Sequence, residues 1–109
     1  MVVVTFGRDR AGRLASAKAT GHAEFGEFPN DVVCAAVSAI LQAACAGLEE
    51  VARVPYEGSR TPGELSFLIP ADARDRADVA AIVATAEVSL EQLERQYPDH
   101  VRVTHINES

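Results

Sequence analysis

The first twenty residues alternate between short apolar runs and polar turns. Val2-Val3-Val4-Thr5-Phe6 is β-branched and aromatic, the composition of a strand. Arg8 to Gly12 is polar and ends in glycine, which suits a hairpin connection. Arg13 to Thr20 predicts a second strand, with Leu14, Ser16, Lys18 and Thr20 on one side and alanines on the other. Gly21 to Asn30 predicts a loop broken by Gly26 and Pro29. From Val32 to about Leu48 the chain reads VVCAAVSAILQAACAGL, too long for a strand and apolar nearly all the way round. That pattern predicts a helix buried on most sides, with Asp31 as its N-cap and Gly47 near its end. Val51 to Tyr56 and Glu64 to Ile69 predict two further strands, and Gly58, Pro62 and Gly63 supply the turn between them. A second helix is expected from Asp72–Asp75 to Tyr97, where Pro98 stops it. Val79, Ile82, Val83, Ala86, Leu90, Leu93 and Tyr97 form its apolar stripe, with Asp78, Glu87, Glu91, Glu94 and Arg95 on the solvated side. Val101 to Ile106 closes the chain as a last strand. The order is ββαββαβ, and its short connections predict an α+β class. The expected architecture is a two-layer domain spanning residues 1–109, in which a mostly antiparallel five-stranded sheet is covered by two helices.

Composition narrows the function. The chain has 109 residues, 48% of them hydrophobic and 24% charged, the balance of an ordinary globule. A domain of this size buries about two thirds of its unfolded surface, enough for one core. Sixteen acidic against ten basic residues leave a net charge of −6, which argues against a nucleic-acid footprint. Two cysteines cannot make a disulfide framework, so a reducing, cytoplasmic compartment is expected. The start MVVVTFGRDR lacks the pattern of a secretory signal. No uninterrupted apolar run approaches the ~20 residues of a membrane span, so no membrane association is expected. No clustered Cys/His spacing, phosphate loop or dinucleotide fingerprint occurs, and neither a metal nor a cofactor is expected. His100 and His105, at odd spacing on the last strand, do not form a metal pair.

Chemistry concentrates between residues 21 and 38. If Asp31 caps the helix, Cys34 falls at its third position, where the dipole and free N–H groups favour an anion. Thiols at helix N-termini or beside an imidazolium have lowered pKa values, and the thiolate is the nucleophile. His22 precedes a stretch long enough to fold back over the helix start, so a Cys–His pair can assemble from one contiguous segment. The same residues also fit a packing cysteine in an apolar helix and a loop histidine. Asp31 either caps the helix or orients His22 as a third member of the pair. Backbone N–H groups at the helix start, that of Cys34 among them, are candidate oxyanion donors. Ser38 is one turn beyond Cys34 on the same face, where it can touch the pair or bond back to a carbonyl. Phe25 and Phe28 either meet an apolar peptide or pin the loop to the domain. Cys45 faces the same way as Cys34, about 16 Å along the axis, and is expected in the core.

Gly21-His22-Ala23, followed by Asp31-Val32-Val33-Cys34-Ala35-Ala36-Val37-Ser38, resembles the signature of the ribosomal-processing cysteine proteases, the Prp family. The match covers residues 21 to 38 and includes the His-to-Cys spacing; elsewhere the similarity is one of pattern. The resemblance implies that His22 and Cys34 are a catalytic dyad. It implies as substrate the N-terminal segment of a large-subunit ribosomal protein, removed as an extension rich in apolar and aromatic residues, and as assembly a homodimer. The first helix, apolar all round, also predicts a dimer. One position departs from the family pattern: Pro29 stands where a glycine is usual, and proline fixes φ and restrains its neighbour. Gly26 is available as a substitute hinge in that substrate loop. Two other functions fit the same residues: a peptide- or ribosomal-protein-binding module without catalysis, and a thiol redox sensor at Cys34.

Overall fold

In the computed structural model, residues 1–21, 30–61 and 63–107 are described, Asn30 and Asp31 through their backbone alone. The elements are β1 (Val2–Arg8), β2 (Leu14–Thr20), α1 (Asn30–Ala46), β3 (Glu57–Thr61), β4 (Glu64–Leu68), α2 (Ala77–Gln96) and β5 (Val101–Asn107). A π-type turn over Gly47–Val51 extends α1, and a 3-10 turn over Ala71–Ala73 precedes α2. The five strands lie in the order β3-β4-β2-β1-β5. All pairs are antiparallel except β1 with β5, which run parallel through α2. The α+β class and the ββαββαβ order are thus those expected.

Alternation along the strands explains why the helices cover one face. Val2, Val4 and Phe6 of β1, Ala15, Ala17 and Ala19 of β2, and Leu65 and Phe67 of β4 are all buried. Opposite them, Thr5, Ser16, Lys18, Glu64 and Ser66 line the other face, where the Thr5 and Thr104 hydroxyls are 2.8 Å apart in a hydrogen bond. The small alanines of β2 leave room for α2 over the sheet centre. At the first hairpin the Asp9 carboxylate accepts hydrogen bonds from the Ala11 and Arg13 amides at 2.9 and 3.1 Å and from Arg13 Nε at 3.0 Å. Partial desolvation would raise its pKa, but these donors outweigh it and hold the carboxyl below its ordinary value.

Three local expectations change. The third strand is Glu57–Thr61 rather than Val51–Tyr56: all five of its residues are exposed. Val54 is buried in the connection instead. An edge strand with nothing to bury carries no apolar alternation, so sequence periodicity points to the wrong segment. Helix α1 is buried along one stripe, Val33, Val37, Leu41, Ala44 and Leu48, not on most sides. Its outward residues Val32, Ala35, Ala39 and Ala43 are exposed, since alanine tolerates either environment. By length and mean composition Val32–Val51 is apolar enough to cross a membrane, although Ser38, Gln42, Glu49 and Glu50 interrupt the run. Its inner stripe, however, belongs to the sheet core. Finally, Glu87 is buried at 7% exposure rather than solvated. Arg8 grips its carboxylate with two hydrogen bonds at 2.8 and 2.9 Å, and His105 Nδ1 lies 3.2 Å from it. A paired carboxylate can sit where an unpaired one could not.

Candidate functional site

Helix α1 carries the site. Its core stripe faces the sheet, and Gly47 sits against Ile82 of α2 on one side. Cys34, Ser38, Gln42, Cys45 and Glu49, spaced four, four, three and four residues apart, share the other flank. That flank looks toward the β3 edge, where Gln42, Cys45 and Glu49 meet Tyr56, Gly58 and Arg60 around a cleft of about 630 Å³.

Cys34 is half-buried, unpaired and packed against the core. The residue is therefore neither fully buried nor fully exposed. Ser38, also half-buried, follows it by one turn. The helix begins at Asn30, earlier than expected. Asp31 consequently lies inside the first turn rather than ahead of it, and Cys34 is the fifth helical residue rather than the third. Two consequences follow from helix geometry. The i→i−4 pattern commits the Cys34 amide to the Asn30 carbonyl, which removes it from the candidate oxyanion donors. The dipole, which fades beyond the first turn, helps a thiolate less at this position than at the third. More of the activation then falls on a neighbouring base.

From sequence, the residue expected in that role is His22. His22, Phe25, Gly26, Phe28 and Pro29 lie outside the described residues, as does the Asp31 side chain. The structure does describe what launches the segment. Gly21 has φ +86°, and a Cβ there would run into the Met1 carbonyl oxygen. Only glycine fits both the left-handed backbone and the close approach, so the residue before His22 is fixed by sterics.

Cys45, expected in the core, is half-buried at the cleft. Burial pushes its thiol pKa up and the Glu49 charge adds to this, while a hydrogen bond with Tyr56 pulls the other way. Tyr56 stands over Gly58 and meets Phe67 edge-on, ring centroids 6.4 Å apart. This cleft was missed from sequence because its walls come from a polar edge strand and an irregular connection; the four-four-three spacing of the α1 flank was the one signal available. Among the described residues no group of His, Cys, Asp and Glu could hold a metal ion.

Comparison with known proteins places this geometry among relatives. Residues 1–102 match the family model for cysteine protease Prp. The chain is 33% identical over 110 residues to the ribosomal processing cysteine protease Prp of Bacillus subtilis, covering 95% of this chain and 96% of that protein. Its fold matches the crystal structure of the ribosomal processing protease Prp from S. aureus in complex with a substrate peptide. The TM-score is 0.86 and the identity 22%, covering 96% of this chain and 99% of that one. A Streptococcus mutans protein of known structure matches with TM-score 0.85 and 26% identity, covering 99% and 96%.

Proposed function

The chain belongs to the Prp family of cysteine proteases, and from that membership we propose a thiol endopeptidase that trims the N-terminal segment of a large-subunit ribosomal protein through Cys34 and His22. The observation that carries this reading is the family match over residues 1–102, which includes both residues, together with a half-buried Cys34 near the start of α1. The Cys34 sulfur attacks the scissile carbonyl carbon after its proton passes to the His22 imidazole. Collapse of the tetrahedral adduct expels the amine, which takes that proton, and leaves an acyl thioester on Cys34. Water, deprotonated by His22, then hydrolyses the thioester and restores the thiol. Asp31, in the first turn, either neutralises the amide ends of α1 or orients His22, and Ser38 flanks the nucleophile. Phe25, Gly26, Phe28 and Pro29 form the substrate loop. No cofactor enters the cycle.

The partner is thus a peptide segment, such as the substrate peptide bound to the S. aureus relative, and not nucleic acid, in keeping with the net charge of −6. The compartment is the cytoplasm, where both unpaired cysteines stay reduced. The protein acts as a homodimer, supported by the apolar outer face of α1, where Val32 is 45% exposed, and by Val51 in the turn that follows it, 74% exposed. A monomeric mass at micromolar concentration would count against the dimer.

The test is incubation with a ribosomal protein carrying its N-terminal extension. Cutting by the native chain, absent in Cys34→Ser and in His22→Ala, is the expected result. Tight binding without cutting by the native chain would make it a binding module instead.

A further inference from the structure

The flank of α1 that carries Cys34 continues into the 630 Å³ cleft beside β3, and the mechanism above makes no use of it. β3 is the outermost strand of the sheet, all five of its residues are exposed, and no described residue pairs with its outer edge. Such an edge is a template for another extended chain. A strand laid beside β3 would alternate its side chains, one set turned outward and one set tucked under the α1 flank. The tucked side chains would meet an apolar floor of Val54, Pro55, Leu65 and the Tyr56 ring, rimmed by Gln42 and Arg60.

Resting on the protease reading above, we propose that the substrate binds as a sixth strand on β3, with an apolar side chain in the Cys45–Tyr56 cleft. The register follows from two rises. Cys45 lies eleven residues beyond Cys34, about 16 Å along a helix, and an extended peptide covers that distance in about five residues. The cleft therefore selects for an apolar residue roughly five positions from the bond that is cut. Glycine at position 58 belongs to this device: a Cβ there would come within 3.0 Å of the Tyr56 ring and displace it.

The experiment compares two peptides spanning the ribosomal cleavage junction, one extending well beyond the fifth residue and one truncated after the second. The native chain is expected to prefer the long peptide at least about tenfold in kcat/KM, chiefly through KM. Replacing the fifth-position apolar residue by Asp, or N-methylating the backbone of the segment that lies on β3, should remove that preference. Gln42→Trp, which puts a ring over the cleft, should remove it too, while Gln42→Ala keeps it. Equal cutting of both peptides by the native chain would overturn the proposal and leave the protease reading standing. If the native chain cuts neither, that reading fails instead, and the groove is decided by hydrogen exchange on Cys34→Ala with the long peptide. Slowed exchange of the Glu57–Thr61 amides supports a sixth strand, and unchanged exchange rejects it.

Discussion

Cys34 and Cys45 stand on the same flank of one helix, both half-buried and both unpaired, yet they lie at opposite ends of it in different surroundings. Cys45 sits at the carboxyl end of α1, where burial and Glu49 hold the thiol neutral against a single opposing hydrogen bond from Tyr56. Cys34 sits near the amino end, one turn before Ser38. Burial alone therefore does not pick out a nucleophile. Axial position and the neighbouring charge are what distinguish the two thiols. Because Cys34 is the fifth residue of the helix, the contrast should depend on His22 more than on the dipole.

The contrast can be broken most directly at the sulfurs. Cys34→Ser should lower peptide cutting by a factor of about a thousand or more, read as initial rates on the extended substrate. Cys45→Ser should cost about tenfold at most, since it changes only the cleft wall. His22→Ala should cost about a hundredfold to ten-thousandfold, the range for removing a general base. Leu41, in the buried stripe of α1 between the two cysteines, is 1% exposed. Leu41→Ala should destabilise the fold by about 2–5 kcal/mol in denaturant titrations, and both thiols should then become accessible together through global unfolding. Gly21→Ala should cost about 1–2 kcal/mol from the left-handed backbone alone, and should lower cutting further by misdirecting the segment that begins with His22. The smallest effect is expected for Glu49→Gln. Removing that charge should move the pH profile of Cys45 alkylation toward lower pH. The sign follows from the shift. A raised Cys45 pKa favours the neutral thiol in the fold, a contribution intact below the ordinary thiol value and lost as pH rises from there through the raised one.

The parts of the fold legible in sequence are those with one buried face. Val2, Val4 and Phe6, the alanines of β2, and Leu65 and Phe67 each alternate with polar neighbours, and each strand lies where that alternation predicts. Helix α2 was equally plain, apart from Glu87 and from its start, which falls at Ala77 rather than Asp72–Asp75 because a 3-10 turn occupies Ala71–Ala73. A carboxylate at a solvent-side position gives no sign that Arg8, 79 residues away in sequence, will clamp it. β3 was illegible for the opposite reason, because an exposed edge buries nothing and Val51 and Val54 imitate a strand. At the site, the His22-to-Cys34 spacing was visible because it lies in one contiguous segment. The cleft was not, because Cys45, Tyr56 and Arg60 come from three elements brought together only by the sheet order.

The sharpest test of an activated Cys34 is its alkylation by iodoacetamide at neutral pH, followed thiol by thiol by mass spectrometry in the native chain and in His22→Ala. The account predicts that Cys34 is labelled well before Cys45 in the native chain, and that the lead shrinks when the imidazole is removed. Equally slow labelling of the two thiols, or a lead indifferent to His22, would contradict it.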